Sequence, residues 1–218
     1  MLRRKPPLFA DRADAGRRLG KHLRGLGLER PVVCALPRGG VPVAVEIAAA
    51  LGAPLDLILV RKLGAPCQPE LALGAVVDGE AAEMVLNSDI VALTGADEAY
   101  LAAARAQALT EIERQRQLYL AGRPRLDVQG RAAIVVDDGL ATGATARAAL
   151  QALRRRCPAR LVLAVPVAPP ETIVALQGEA DKIICLEQVA LIRGISGCYA
   201  DFHQIDDREV VRLLDAAA

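Results

Sequence analysis

The sequence predicts an α/β fold in which a doubly wound, mainly parallel, five-stranded sheet is covered by helices on both faces. Three observations predict it. Five short and nearly unbroken apolar runs occur at 32–36, 55–60, 132–136, 161–165 and 181–186, as in strands buried on both faces. Helical patterns fall between most of these runs, which is the arrangement that yields a parallel sheet. Twice, at 36–41 and 136–145, an apolar run passes through a glycine turn straight into a helical pattern. The length of 218 residues suits one such domain with an added lobe.

Composition narrows the function classes. Hydrophobic residues make up 53% and charged residues 24%, so a sizeable core can form. Aromatics are 2% and Trp is absent, so that core is built from Ala, Val, Leu and Ile. A net charge of +1 provides no global basic field for nucleic acid, and three Tyr and two Phe make no stacking platform for single strands. The five cysteines are odd in number and contain no CxxC pair, which argues against a disulfide framework or a zinc site. Residues 1–7 are basic with no apolar core behind them, and no run approaches a membrane span. The expectation is a soluble cytoplasmic protein with no nucleic-acid or membrane partner. A homo-oligomer is compatible with the sequence, which does not specify one.

In chain order, 8–26 predicts a helix with Asp11 as N-cap and Ala15, Leu19, Leu23 and Leu26 as its apolar stripe. Strand 32–36 leads through Pro37-Arg38-Gly39-Gly40 into a helix at 41–51. Amides at such a turn attract anions, and Arg38 adds a charged fork of donors. Strand 55–60 ends in Arg61-Lys62, two further cations. Residues 71–77 and 82–86 predict a hairpin about Asp78-Gly79. Asn87 or Ser88 caps a short helix, and a long amphipathic helix runs from 97 or 98 to about 120, stopped by Gly122 and Pro124. After 132–136, a helix spans 144–156 and ends in three arginines that complement its dipole. Strand 161–165, a helix opened by Pro169-Pro170, strand 181–186 and a closing helix at 209–214 complete the chain.

The stretch 132–145 carries the chemistry. An apolar strand, Ala132 to Val136, ends in Asp137 and Asp138. Gly139, Leu140, Ala141, Thr142, Gly143, Ala144 and Thr145 then supply small residues, two hydroxyls and free amides at a helix start. A helix N-terminus suits a phosphate. Two carboxylates repel one, and suit neighbouring hydroxyls such as a ribose diol.

This ordered string resembles the phosphoribosyl-pyrophosphate (PRPP) signature of type I phosphoribosyltransferases. The resemblance covers about 32–186, with specificity concentrated in 132–145. It implies Mg²⁺-dependent transfer of a 5-phosphoribosyl group from PRPP to a small nitrogenous, nucleobase-like acceptor, with release of pyrophosphate. Asp137 and Asp138 would be the catalytic pair at the ribose. Gly139 to Thr145 would hold the sugar phosphate. Arg38, Gly39, Gly40, Arg61 and Lys62 would hold pyrophosphate, and Mg²⁺ would be held mainly through PRPP and water. The resemblance also implies that strands 32–36 and 132–136 are neighbours, that the Pro37–Arg38 peptide is cis, that a mobile hairpin spans about 61–87, and that a small C-terminal hood (187–218) takes the acceptor, with Tyr199 or Phe202 stacking on it. In this sequence Gly139 replaces a larger apolar residue of the family, and Ala141 replaces an Asp of its purine-salvage members. The second departure points away from standard purine salvage and keeps open a PRPP-sensing regulator with little turnover.

Overall fold

The computed structural model describes residues 6–79, 83–120, 122–190 and 194–217. A five-stranded parallel sheet forms the centre, with β1 (Val32–Ala35), β2 (Leu55–Leu57), β6 (Ala132–Val136), β7 (Arg160–Ala168) and β8 (Lys182–Gln188) in the spatial order β2-β1-β6-β7-β8. The pairing of Val32 with Ala133 and Ala35 with Val136 sets β1 beside β6. The chain leaves β1 toward one edge and leaves β6 toward the other, so the strand order reverses between them. Doubly wound sheets bind ligands at the carboxyl ends of strands at such a reversal.

Every residue of β1 and β6 is buried, which is why both read as unbroken apolar runs. Alternate residues feed two cores. Val33, Ala35, Ile134 and Val136 pack with α1 (Arg12–Arg24), α2 (Gly40–Leu51) and α7 (Asp207–Ala216). Val32, Cys34, Ala133 and Val135 pack with α5 (Ala144–Arg155) and with Ile173 of α6 (Pro170–Ala175). Each fully buried Val, Leu or Ile contributes roughly 1.5–3 kcal/mol. Burial pushes the Cys34 thiol up to about 12, so it behaves as a core apolar group. All five cysteines are free.

Several boundaries differ from the sequence expectation. The run 55–60 splits, because the Ile58 amide still bonds Ala35 O while Leu59 O already accepts from Asp78 N. Beyond the split, β3 (Val60–Ala65), β4 (Gln68–Val77) and β5 (Glu83–Leu86) form a separate antiparallel sheet. Ala82, expected to open the last of these strands, lies outside the described residues. The 61–87 region contains the expected hairpin, as the antiparallel pair β4–β5. Leu63, Leu73 and Val76 are buried against the α4 (Glu98–Leu120) side, and Ala75 and Val77 against the α5 side. Not all of the tail stands apart as a hood, because Val210 and Leu214 of α7 enter the main core. The expected caps are present: Asp11 accepts from Asp14 N, and Asn87 accepts from the first amides of α3 (Ser88–Thr94).

Candidate active site

The acidic pair sits where β6 ends. Asp138 is buried, with one carboxylate oxygen held by Arg12 Nε at 2.8 Å. Arg12 belongs to the first turn of α1 and is itself buried; its Nη1 donates to His203 O at 2.9 Å. The β1–α2 turn closes the other side of Asp138. A Cβ on Gly39 would lie 2.5 Å from Asp138 Cγ, so no side chain fits there. Gly40 is equally confined, 2.6 Å from Val136 O by the same measure. These two glycines bring the turn against the acids, the adjacency that the sequence could only infer.

Asp137 stands beside its twin, and its Oδ1 accepts the Asp138 amide at 2.9 Å. Burial, then the charge of Asp138, holds the Asp137 carboxyl well above the usual carboxylate range, with Arg12 and Lys62 opposing. Burial also raises Asp138, against the Arg12 hydrogen bond. Two adjacent acids thus meet different surroundings, one beside a guanidinium and one without such a partner.

The turn that follows makes a cradle. Gly143 caps α5 at φ 74°, a left-handed conformation that favours glycine, and no side chain caps this helix start. The first amides of α5 are thus left for a ligand. Thr142 and Ala141 are exposed beside them, and the Thr172 hydroxyl fixes the loop by donating to Ala141 O at 2.6 Å. The glycine at 139 has a steric cause, since a Cβ there would meet Ile195 Cγ2 at 2.8 Å and Val167 Cγ1 at 2.9 Å. A tail residue occupies the space that a larger side chain would need.

The cations predicted for pyrophosphate are placed by carboxylates. The Pro37–Arg38 peptide is cis. Arg38 reaches Asp207 Oδ1 at 3.4 Å, and Arg114 and the Tyr119 hydroxyl converge on the same carboxylate. Arg61 pairs with Glu111 Oε1 at 2.8 Å, and Glu111 also holds Arg114. One chain of alternating charges therefore runs Arg61, Glu111, Arg114, Asp207, Arg38. Lys62 is exposed, and its charge is felt at Asp137.

Tyr199 and Phe202 pack within the protein itself. The Tyr199 ring is buried between Phe9 and Phe202, with centroids at 5.3 and 5.1 Å, and its hydroxyl donates to Asp138 O at 2.6 Å. The Arg12 guanidinium lies 3.7 Å from the Phe202 centroid. These contacts fasten the tail to α1 and to the acid loop, with Tyr199 buried and Phe202 half-buried. His203, too, is structural in its contacts, with Glu209 at 3.0 Å. Sequence reasoning missed Arg12, Glu111 and Asp207. Each lies far along the chain from its partner, in a helix whose local pattern reads as an ordinary solvated face. The one available hint for Arg12 was its position directly after an N-cap, on the side of Ala15 and Leu19.

The family model described as "phosphoribosyl transferase domain" matches residues 10–203. Two curated relatives from strains of Mycobacterium tuberculosis, which carry provisional phosphoribosyl transferase names, are 47% identical over 210 residues, 96% of this chain. The chain spans about half the length of these relatives, 47% of each. A solved protein from Thermus thermophilus is 43% identical and superposes with a TM-score of 0.83, covering 96% of this chain and 99% of that one. A solved Aquifex aeolicus protein at 14% identity and a TM-score of 0.53, covering 87% of this chain and 85% of its own, shares the fold. Together with the acid pair and cradle at the strand reversal, these matches establish that the chain belongs to the phosphoribosyl transferase domain family.

Proposed function

We propose that the protein transfers a 5-phosphoribosyl group from PRPP to a small nitrogenous acceptor and releases pyrophosphate. One observation carries this reading: Asp137 and Asp138 lie between two helix starts that no side chain caps, at the sheet's strand reversal. The amides and hydroxyls of Thr142, Gly143 and Thr145 hold the 5-phosphate, with Gly139, Leu140, Ala141 and Ala144 shaping the loop. The β1–α2 turn, with Arg38, Gly39 and Gly40, holds pyrophosphate together with Arg61 and Lys62. Breaking the C1–O bond leaves the bonding electrons on pyrophosphate and positive character on the ribose. The acceptor nitrogen then bonds C1 and its proton passes to the departing pyrophosphate or to water. Asp137 and Asp138 orient the ribose hydroxyls and favour the cationic sugar, while the basic groups stabilise the leaving anion. Anchoring the phosphate far from the reacting carbon supplies orientation.

Carboxylate oxygens are the donors that Mg²⁺ prefers, and an ion with so few protein oxygens keeps substrate and water as its other ligands. With Asp138 engaged by Arg12, Mg²⁺ when bound would be held mainly by PRPP and water and would neutralise charge on pyrophosphate.

A second reading, a PRPP sensor with little turnover, is favoured by two observations: Ala141 has no acid, and Arg38 and Arg61 are already engaged by Asp207 and Glu111. Calorimetric PRPP binding, followed by pyrophosphate release against a panel of bases, separates them. Binding with release supports transfer, and binding without release on any base supports the sensor.

A further inference from the structure

A second cleft, distinct from the acid loop, encloses about 950 Å³. It lies along the outer side of β2, between the far end of α5, the end of α4 and the base of the β3–β4 hairpin. The cleft's liners on α5 and its end, Ala152, Leu153 and Arg156, lie 7 to 11 residues past Thr145, about 10–16 Å from the cradle along the helix axis. The volume is in the range of small-molecule sites.

Its lining is two-sided. Leu57, Val77 and Leu153 are among the buried apolar residues that make the floor. The charged wall has four arginines, Arg116, Arg123, Arg125 and Arg156, against two aspartates, Asp78 and Asp127. Arg116 and Arg125 share the buried carboxylate of Asp78, and Arg116 also reaches Glu113 Oε2 at 3.8 Å. Arg123 pairs with an exposed Asp215. Arg156 donates to a neutral group, Leu126 O at 2.6 Å. The lining itself holds four guanidiniums and two carboxylates, while Glu113 and Asp215, outside the lining, pair with Arg116 and Arg123. Forked donors above an apolar floor recognise phosphate oxygens attached to a less polar body.

We infer that this cleft is an anion site for a phosphorylated small molecule carrying two or more phosphates. Its position connects it to the hairpin. Asp78 N bonds Leu59 O where the small sheet leaves the main one. A ligand that takes up Arg116 and Arg125 competes with Asp78 at that junction. The ligand thereby acts on the sheet that carries Arg61 and Lys62. The inference does not depend on the reading of the β6–α5 loop.

The test is calorimetric titration with inorganic tripolyphosphate in Mg²⁺-free buffer. Thr145→Glu puts a carboxylate at the cradle, where it repels phosphate while suiting a helix start. In this background one 1:1 site should remain, and adding Arg123→Gln and Arg156→Gln should weaken it tenfold or more. Arg156→Lys should restore part of the affinity. Arg116 and Arg125 are left intact so that Asp78 keeps its partners, and a thermal melt verifies folding. Binding in the Thr145→Glu protein that ignores both arginine substitutions overturns the inference. So does loss of all binding with Thr145→Glu alone, which would leave the cradle as the binding site. Binding that survives Thr145→Glu unchanged yet disappears with the arginine substitutions supports the cleft and counts against the cradle. A change of oligomeric state on the arginine substitutions, without tripolyphosphate binding, would make the cleft a subunit contact and also overturn the inference.

Discussion

Arg12 Nε donates to Asp138 Oδ2 at 2.8 Å across 126 residues of sequence, in a pair whose side chains are 8% and 11% exposed. The first helix thus holds the charge of an acid assigned to the ribose. Removing one member of a buried pair strands the other charge. Arg12→Ala should destabilise the fold by about 3–5 kcal/mol. Arg12→Met combined with Asp138→Asn should recover most of that loss in chemical denaturation while leaving turnover abolished. Recovery of turnover in the double variant would remove Asp138 from the reaction.

Asp137 predicts an opposition between stability and activity. Its carboxyl is raised by burial and by Asp138, so the folded state binds its proton more tightly than the unfolded state does. The favourable contribution is complete below the unfolded value and is lost as pH climbs through the folded one. At neutral pH the charged group is therefore a liability, and Asn keeps the acceptor for the Asp138 amide. Asp137→Asn should raise Tm at pH 7–8, by roughly 2–4 °C per kcal/mol regained, with the gain vanishing at low pH. Turnover should drop sharply. A lower Tm at neutral pH would contradict this electrostatic account.

Gly139 predicts a size-for-size exchange with the tail. Gly139→Val drives a side chain into Ile195 and Val167 and should destabilise the protein by about 1–3 kcal/mol. Ile195→Ala should relieve much of that when added to Gly139→Val, though alone it is mildly destabilising. Additive losses in a double-mutant cycle would show that the two positions do not share one space.

Arg38 predicts selective loss at the leaving group. A charge-assisted contact is worth roughly 1.5–3 kcal/mol, about tenfold or more in affinity. Arg38→Ala should weaken pyrophosphate and PRPP by that factor and leave ribose 5-phosphate unaffected. Equal losses for all three ligands would place Arg38 elsewhere.

The legible and illegible parts of this molecule differ in physical kind. The five parallel strands, the cap at Asp11 and the uncapped turn at Gly143 follow from periodicities and turn chemistry that act within a few residues. The adjacency of Gly39 to Asp138 was inferred through resemblance, and its steric reason emerged only in three dimensions. Arg12, Glu111 and Asp207 act through charge across long sequence separations, and charge on a helix carries no local signal of its partner. The hairpin about Asp78-Gly79 follows from local turn chemistry and is present as the β4–β5 pair, whereas the burial of Leu73 and Val76 against the α4 side depends on residues far along the chain. Tyr199 and Phe202 carry an acceptor role only through the resemblance, and their surroundings come from residues 9 and 12, which nothing nearby in the sequence announces.

The most direct measurement is calorimetric titration of PRPP in the presence of Mg²⁺ into the wild-type and Thr145→Glu proteins. Saturable binding at one site, weakened tenfold or more by the substitution, is the predicted result. Absence of PRPP binding to a folded wild-type protein, or equal affinity in both, would contradict a sugar-phosphate site between the Asp137–Asp138 pair and the start of α5.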